Sequence, residues 1–166
     1  MSRKVITLIL VLLVVCTAVF AEVTKKTPIV FEAEDYNGNK VTSDIFKDYD
    51  VTMINFFTTW CGYCIDEMPE LNKLYEQLPK NANLIAICAD AYDSPDDLKD
   101  IMDYFDLKFT VLKMTGEQAY QVYKTLGFPT SIFVDKKGYF LKVLTGAPKN
   151  PLKDYGNAIN SLLGSK

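Results

Sequence analysis

The chain has 166 residues, 49% of them apolar and 23% charged, with a formal net charge of −3, which fits one domain able to bury a core. It contains no histidine, and Arg3 is its only arginine. This excludes Ser–His and Cys–His catalysis, imidazole metal sites and an arginine clamp on phosphate, while the acidic balance argues against a nucleic-acid partner.

Arg3 and Lys4 form a short basic start ahead of an apolar run over residues 5–15, and Val19-Phe20-Ala21 places small residues at −3 and −1 of a cleavage site before Glu22. Residues 1–21 are therefore expected to be a signal peptide. If uncleaved, they are an N-terminal membrane anchor, since residues 5–21 reach the lower limit for spanning a bilayer. Cys16 lacks the preceding small residue expected of a lipidated cysteine. Both readings place the domain, residues 22–166, outside the cytoplasm, where disulfides persist. Removing the segment leaves 16 basic against 21 acidic residues, a net of −5.

Ile29-Val30-Phe31 predicts a short strand and Asp35-Tyr36-Asn37-Gly38-Asn39 a tight turn, returning through Val41-Thr42. Ser43-Asp44 is positioned to cap a short helical turn. Residues 51–57 form a continuous β-rich apolar run, as in a strand buried on both faces. Apolar residues at helical spacing follow over 64–78, with Pro69 expected to kink the helix. Residues 84–89 predict a second buried strand, hence a βαβ unit with a right-handed crossover. Ser94 caps a helix opened by Pro95 and running to about Phe105. A short strand over 109–112, a helix over 118–126, a hairpin of strands 130–134 and 139–144, and an amphipathic helix over 151–163 complete the chain. The order predicts an α/β fold, a mixed β-sheet flanked by helices, with an N-terminal β-hairpin and a central αβ insertion.

Cys61 and Cys64 stand at the strand-to-helix junction. A dithiol catalyst needs a nucleophilic thiolate and a second thiol that resolves the mixed disulfide. The helix N-terminus lowers the pKa of the first cysteine, so Cys61 is read as the nucleophile and Cys64 as the resolving thiol. A zinc site would want a second such pair or histidines, and after residue 21 the chain offers only Cys88 besides. No metal and no cofactor are expected. Cys88 ends a buried strand and reads as a small core residue, with a regulatory or intermolecular disulfide as the alternative.

Trp60-Cys61-Gly62-Tyr63-Cys64, followed by Glu67-Met68-Pro69, resembles the Trp-Cys-x-x-Cys-x-x-Glu-x-Pro signature of the TlpA/ResA-like extracytoplasmic thioredoxins. The resemblance covers nearly everything after residue 27, including the Asn-Gly hairpin, Asn55-Phe56-Phe57, Gly127-Phe128-Pro129-Thr130 and Asp135-Lys136-Lys137-Gly138. It implies a thioredoxin fold with thiol–disulfide oxidoreductase activity through a redox-active Cys61–Cys64 disulfide. Pro129 matches the family's cis-proline, and the backbone near Phe128 is implied to pair with an extended substrate segment, with Trp60 and Tyr63 also lining the binding cleft. Asn55 stands where cytoplasmic thioredoxins carry a buried aspartate, and Glu67 matches the glutamate that relatives use instead, here to take the Cys64 proton. Tyr63 departs from the proline common before the second cysteine, which leaves the direction of electron flow open. The implied partners are an exported protein carrying a disulfide, apocytochrome c foremost, and a membrane thiol donor of the CcdA/DsbD type.

Three other readings compete. A disulfide oxidase or isomerase would use the same dithiol in the other direction. A redox-independent peptide-binding or chaperone module would use the same cleft, although such domains commonly lose one cysteine. Thr58-Thr59-Trp60-Cys61 contains the Thr-x-x-Cys of peroxiredoxins, but Ile54 replaces the expected proline and no arginine follows residue 21.

Overall fold

Residues 51–57 form an interior strand: every residue of strand β3 (Val51–Phe57) is buried, as a strand covered on both faces requires. The structure, a computed structural model, describes residues 27–124 and 127–165. The expected signal or anchor segment, residues 1–21, and residues 125 and 126 of an expected helix lie outside the described residues.

Among the described residues, strands β1 (Glu32–Asp35), β2 (Lys40–Thr42), β3, β4 (Ala82–Ala89), β5 (Thr110–Met114), β6 (Thr130–Asp135) and β7 (Phe140–Thr145) form one mixed sheet in the order β2-β1-β5-β4-β3-β6-β7. β3 is parallel to β4 and antiparallel to β6, and β4 is parallel to β5. The helices are α1 (Gly62–Glu76), α2 (Pro95–Phe105), α3 (Gly116–Tyr123) and α4 (Pro151–Gly164), with a 3-10 turn over Ser43–Phe46. The expected βαβ unit is β3-α1-β4, and α2 with β5 forms the central insertion.

Alternation along the strands divides the core in two. Met53 and Phe57 pack with Met68 and Leu71 of α1 and Tyr155 and Ile159 of α4. Ile54 and Phe56 pack on the opposite face with Phe31, Phe46 and Tyr123. This register sends the intervening Asn55 towards the α1 and α4 side.

Several boundaries differ from expectation. Ile29 and Phe31 are buried, but the first strand begins at Glu32. The Ile29 N–H bonds the Gly138 carbonyl at 2.8 Å, tying the segment to the β6–β7 turn instead of to a strand ladder. Gly138 has φ +81°, and a Cβ there would meet the Ile29 oxygen at 2.8 Å, so this crossing requires glycine. The 3-10 turn is capped by Thr42, one residue earlier than expected. Helix α1 continues through Pro69, starting at Gly62 and ending at Glu76. Helix α3 starts earlier, at Gly116, behind a Thr115 cap that bonds Gln118 reciprocally, and stops at Tyr123, where Lys124 turns left-handed. The Ser94 cap stands as expected, completed by Asp97 three residues on.

Candidate active site

Strand β3 delivers the chain to the site. After Phe57 the backbone turns through Thr58-Thr59-Trp60, and Cys61 becomes the N-cap of the 15-residue α1. The Cys64 N–H points at Cys61 Sγ, 3.3 Å away. The Cys61 sulfur therefore sits among the free N–H groups of a helix whose first turn carries no acidic side chain, the setting that favours a thiolate. Cys61 and Cys64 form a disulfide with Cα atoms 5.2 Å apart. Cys61 is 9% exposed and Cys64 0%. An incoming sulfur can reach only the first.

Glu67 is one turn further along α1 on the face of Cys64, and both are buried. Asn55 Nδ2 donates to Glu67 Oε1 at 2.7 Å and to Ser131 Oγ at 3.2 Å, while the Tyr155 hydroxyl donates to Glu67 Oε2 at 3.0 Å. Burial pushes the Glu67 carboxyl above its ordinary range, and the bonds from Asn55 and Tyr155 pull the other way without cancelling it. A buried carboxylate held by two donors behind the second cysteine can accept a proton there. Burial, followed by the neighbouring Glu67 charge, raises the Tyr155 phenol, which keeps it a donor. Tyr155 and Ser131 were missed from sequence. Ser131 pairs with Asn55 across the β3–β6 ladder and Tyr155 arrives on the last helix, so only the three-dimensional packing reveals them.

The Phe128–Pro129 peptide is cis, and Thr130, which follows it, pairs with Phe56 at the end of β3. Trp60 packs edge-on against Phe128 with ring centroids 6.4 Å apart, while its indole N–H bonds the Asp90 carboxylate. Trp60 and Tyr63 are 69% and 75% exposed. The fold thus gathers Trp60, Cys61, Tyr63, Cys64, Phe128 and Pro129 at one end of the sheet.

A family model described as the AhpC/TSA family matches residues 23–142. The thiol-disulfide oxidoreductase ResA of Bacillus thuringiensis subsp. konkukian (strain 97-27) is 34% identical over 136 residues, covering 81% of this chain and 76% of the relative. The chain belongs to the ResA thiol–disulfide oxidoreductases of the AhpC/TSA family. Among solved structures, a thiol:disulfide interchange protein of the thioredoxin family from Chlorobium tepidum TLS superimposes with a TM-score of 0.71 at 22% identity, covering 85% of this chain and 99% of that one. StoA from Bacillus subtilis does so with a TM-score of 0.65 at 19% identity, covering 80% and 98%. These two likenesses establish the thioredoxin fold expected from the sequence.

In this ResA-type enzyme the peroxidase features remain incomplete. Ile54 is a fully buried strand residue, and Arg3 lies outside the described residues. Among the described residues no group of three or more His, Cys, Asp or Glu side chains is placed to hold a metal. Cys88 is a buried free thiol that donates to Asp93 Oδ2 at 2.9 Å, and burial, then Asp93, pushes it far above the ordinary thiol range. That places it as an inert core group. Asp93 was not singled out from sequence. It also accepts from the Thr59 N–H at 3.1 Å and from the Thr59 hydroxyl, clamping the loop that carries Trp60 and Cys61.

Proposed function

We propose that the enzyme reduces disulfides in exported proteins. The observation that carries this reading is the division of labour at the α1 N-terminus: a reachable Cys61, a fully buried Cys64 and a buried Glu67 one turn behind it.

The Cys61 thiolate attacks one sulfur of a substrate disulfide. A Cys61–substrate disulfide forms, and the other substrate sulfur leaves as a thiolate that picks up a proton. Cys64 then passes its proton to the Glu67 carboxylate and attacks Cys61 Sγ. The Cys61–substrate bond breaks, the substrate sulfur that had joined Cys61 leaves and is protonated, and the Cys61–Cys64 disulfide remains. Two electrons have moved from the enzyme to the substrate. Asn55 and Tyr155 orient Glu67, while Trp60, Tyr63 and the Phe128–Pro129 segment hold the substrate strand. A membrane thiol donor of the CcdA/DsbD type returns the electrons. Residues 1–21 export the domain, as signal or anchor, and the haem-attachment cysteines of apocytochrome c are the first substrates to try.

The test is a single turnover with a protein disulfide in excess. The reduced enzyme is expected to consume one substrate disulfide per chain while forming Cys61–Cys64, and Cys61→Ser to consume none. Intact substrate disulfides, with Cys61→Ser fully active in a refolding assay without redox buffer, would make the protein a binding module instead.

A further inference from the structure

β3 ends between two neighbours. On one side lies the start of β6, with Phe128 and Pro129 before it; on the other lies the end of β4, which leads through residues 90–94 into α2. On this second side a shallow cleft of about 320 Å³ opens between the start of α1 and α2, lined by Thr59, Ile65, Asp100, Ile101, Tyr104 and Phe105. Thr59 precedes Cys61 by two residues and Ile65 follows Cys64, so the cleft borders the dithiol. Its walls are apolar: Ile65, Ile101 and Phe105 are half-buried, and the Tyr104 and Phe105 rings meet edge-on at 4.8 Å. Tyr104 is nevertheless 82% exposed, a large side chain left in water beside a reactive centre.

The α2 side of the cleft carries an excess of acid, although Asp93 is buried and Asp106 is paired with Lys108. Residues 90–106 contain seven aspartates against one lysine, and that lysine, Lys99, is already paired with Asp103. Asp97 is occupied by Ser94, and Asp90 by Trp60 and the Tyr92 N–H. Asp100, in the cleft lining itself, is exposed and has no ion-pair partner among the described residues. The floor is fixed in advance, because buried Asp93 holds both the Thr59 N–H and its hydroxyl.

Building on the reductase reading, we infer that this cleft is a second recognition surface, taking an apolar side chain of the substrate protein with an adjacent lysine or arginine placed on Asp100. Each extended residue spans roughly 3.3 Å, so the occupant lies within a few residues of the cysteine that bonds Cys61. The cleft selects cysteines in basic, apolar surroundings. The acid excess on the α2 side speeds their encounter, and the apolar pocket discriminates between side chains.

Trp60 is the only tryptophan and adjoins Cys61, so its fluorescence can follow oxidation of the reduced enzyme. Two disulfide-linked peptides of equal length are compared, one with leucine and lysine beside its cysteine and the other with glycine and glutamate. Bis(hydroxyethyl) disulfide, a linear uncharged disulfide, serves as the small-disulfide reference. The leucine–lysine peptide is expected to react at least about 10-fold faster at low salt. That advantage should shrink near 1 M salt, where screening acts within about 3 Å. The double variant Asp100→Lys, Tyr104→Ser should lower its rate, relative to the bis(hydroxyethyl) disulfide rate, about 10-fold. Equal rates for the two peptides in the unsubstituted enzyme overturn the cleft while leaving the reductase reading intact, and so does a preference that survives the double variant. Failure with bis(hydroxyethyl) disulfide as well would overturn the reductase reading beneath it. A mass that doubles with concentration, abolished by the double variant, would overturn the substrate role and assign the cleft to a second copy of the chain.

Discussion

Cys64→Ser is expected to halt the reaction halfway, with the substrate covalently held on Cys61. Once Cys61 has attacked, release requires a second sulfur within reach of the mixed disulfide. Cys64 is the sulfur at bonding distance, and Cys88 is free, buried and bonded to Asp93. Non-reducing electrophoresis and mass spectrometry should show one substrate per chain, removed by dithiothreitol. Cys61→Ser should show no adduct, because its remaining Cys64 is fully buried. Turnover in either variant should fall on the order of a thousandfold or more, since two groups that act in sequence behave as one unit. An adduct on Cys64 in the Cys61→Ser protein would reverse the assignment.

Glu67→Gln should separate the proton step from the attack. As a base, Glu67 must be ionised, so in the unsubstituted enzyme mixed-disulfide resolution rises with pH through the raised Glu67 pKa. Glutamine has no such limb, and resolution should slow on the order of a hundredfold at neutral pH. Formation of the mixed disulfide by Cys61 should change far less. The same substitution should stabilise the fold at neutral and alkaline pH. Because burial raises the Glu67 pKa above its ordinary 4.5, the folded chain holds this proton more tightly than the unfolded one. The resulting stability is complete below the ordinary value and lost as pH rises through the raised one, where the protein carries a buried charge. The substituted glutamine never acquires that charge and keeps an acceptor for Asn55. Denaturant midpoints should therefore converge at low pH and favour the variant above the raised pKa. Unchanged resolution kinetics across pH would remove Glu67 from the mechanism.

The parts legible in the sequence were those encoded by neighbouring residues. The apolar run of β3, the Ser94 cap and the Cys61–Cys64 pair at a helix start each carry a local signal, and each stands where the sequence placed it. Ile29 and Phe31 show the limit. They have strand composition, but their burial comes from the core face they share with Phe46, Ile54 and Phe56, and the Ile29 N–H is satisfied by Gly138, far along the chain. The continuation of α1 through Pro69 likewise reflects packing of Met68 and Leu71 against the sheet, which outweighs a local break. At the site, Glu67 could be singled out by its spacing from Cys64, but its partner Tyr155 is 88 residues away. Asp93 looked like one aspartate in an acid-rich loop. Its contacts with Thr59 and Cys88 depend on how the β4–α2 connection folds over the end of β3.

The reduction potential of the Cys61–Cys64 pair, equilibrated against dithiothreitol or glutathione buffers, bears most directly on the direction of electron flow. A reductase fed by a membrane donor requires a value near the thioredoxin level of about −270 mV or lower. A value near about −120 mV, where strong oxidants sit, would contradict the reductase reading and make the enzyme a donor or shuffler of disulfides.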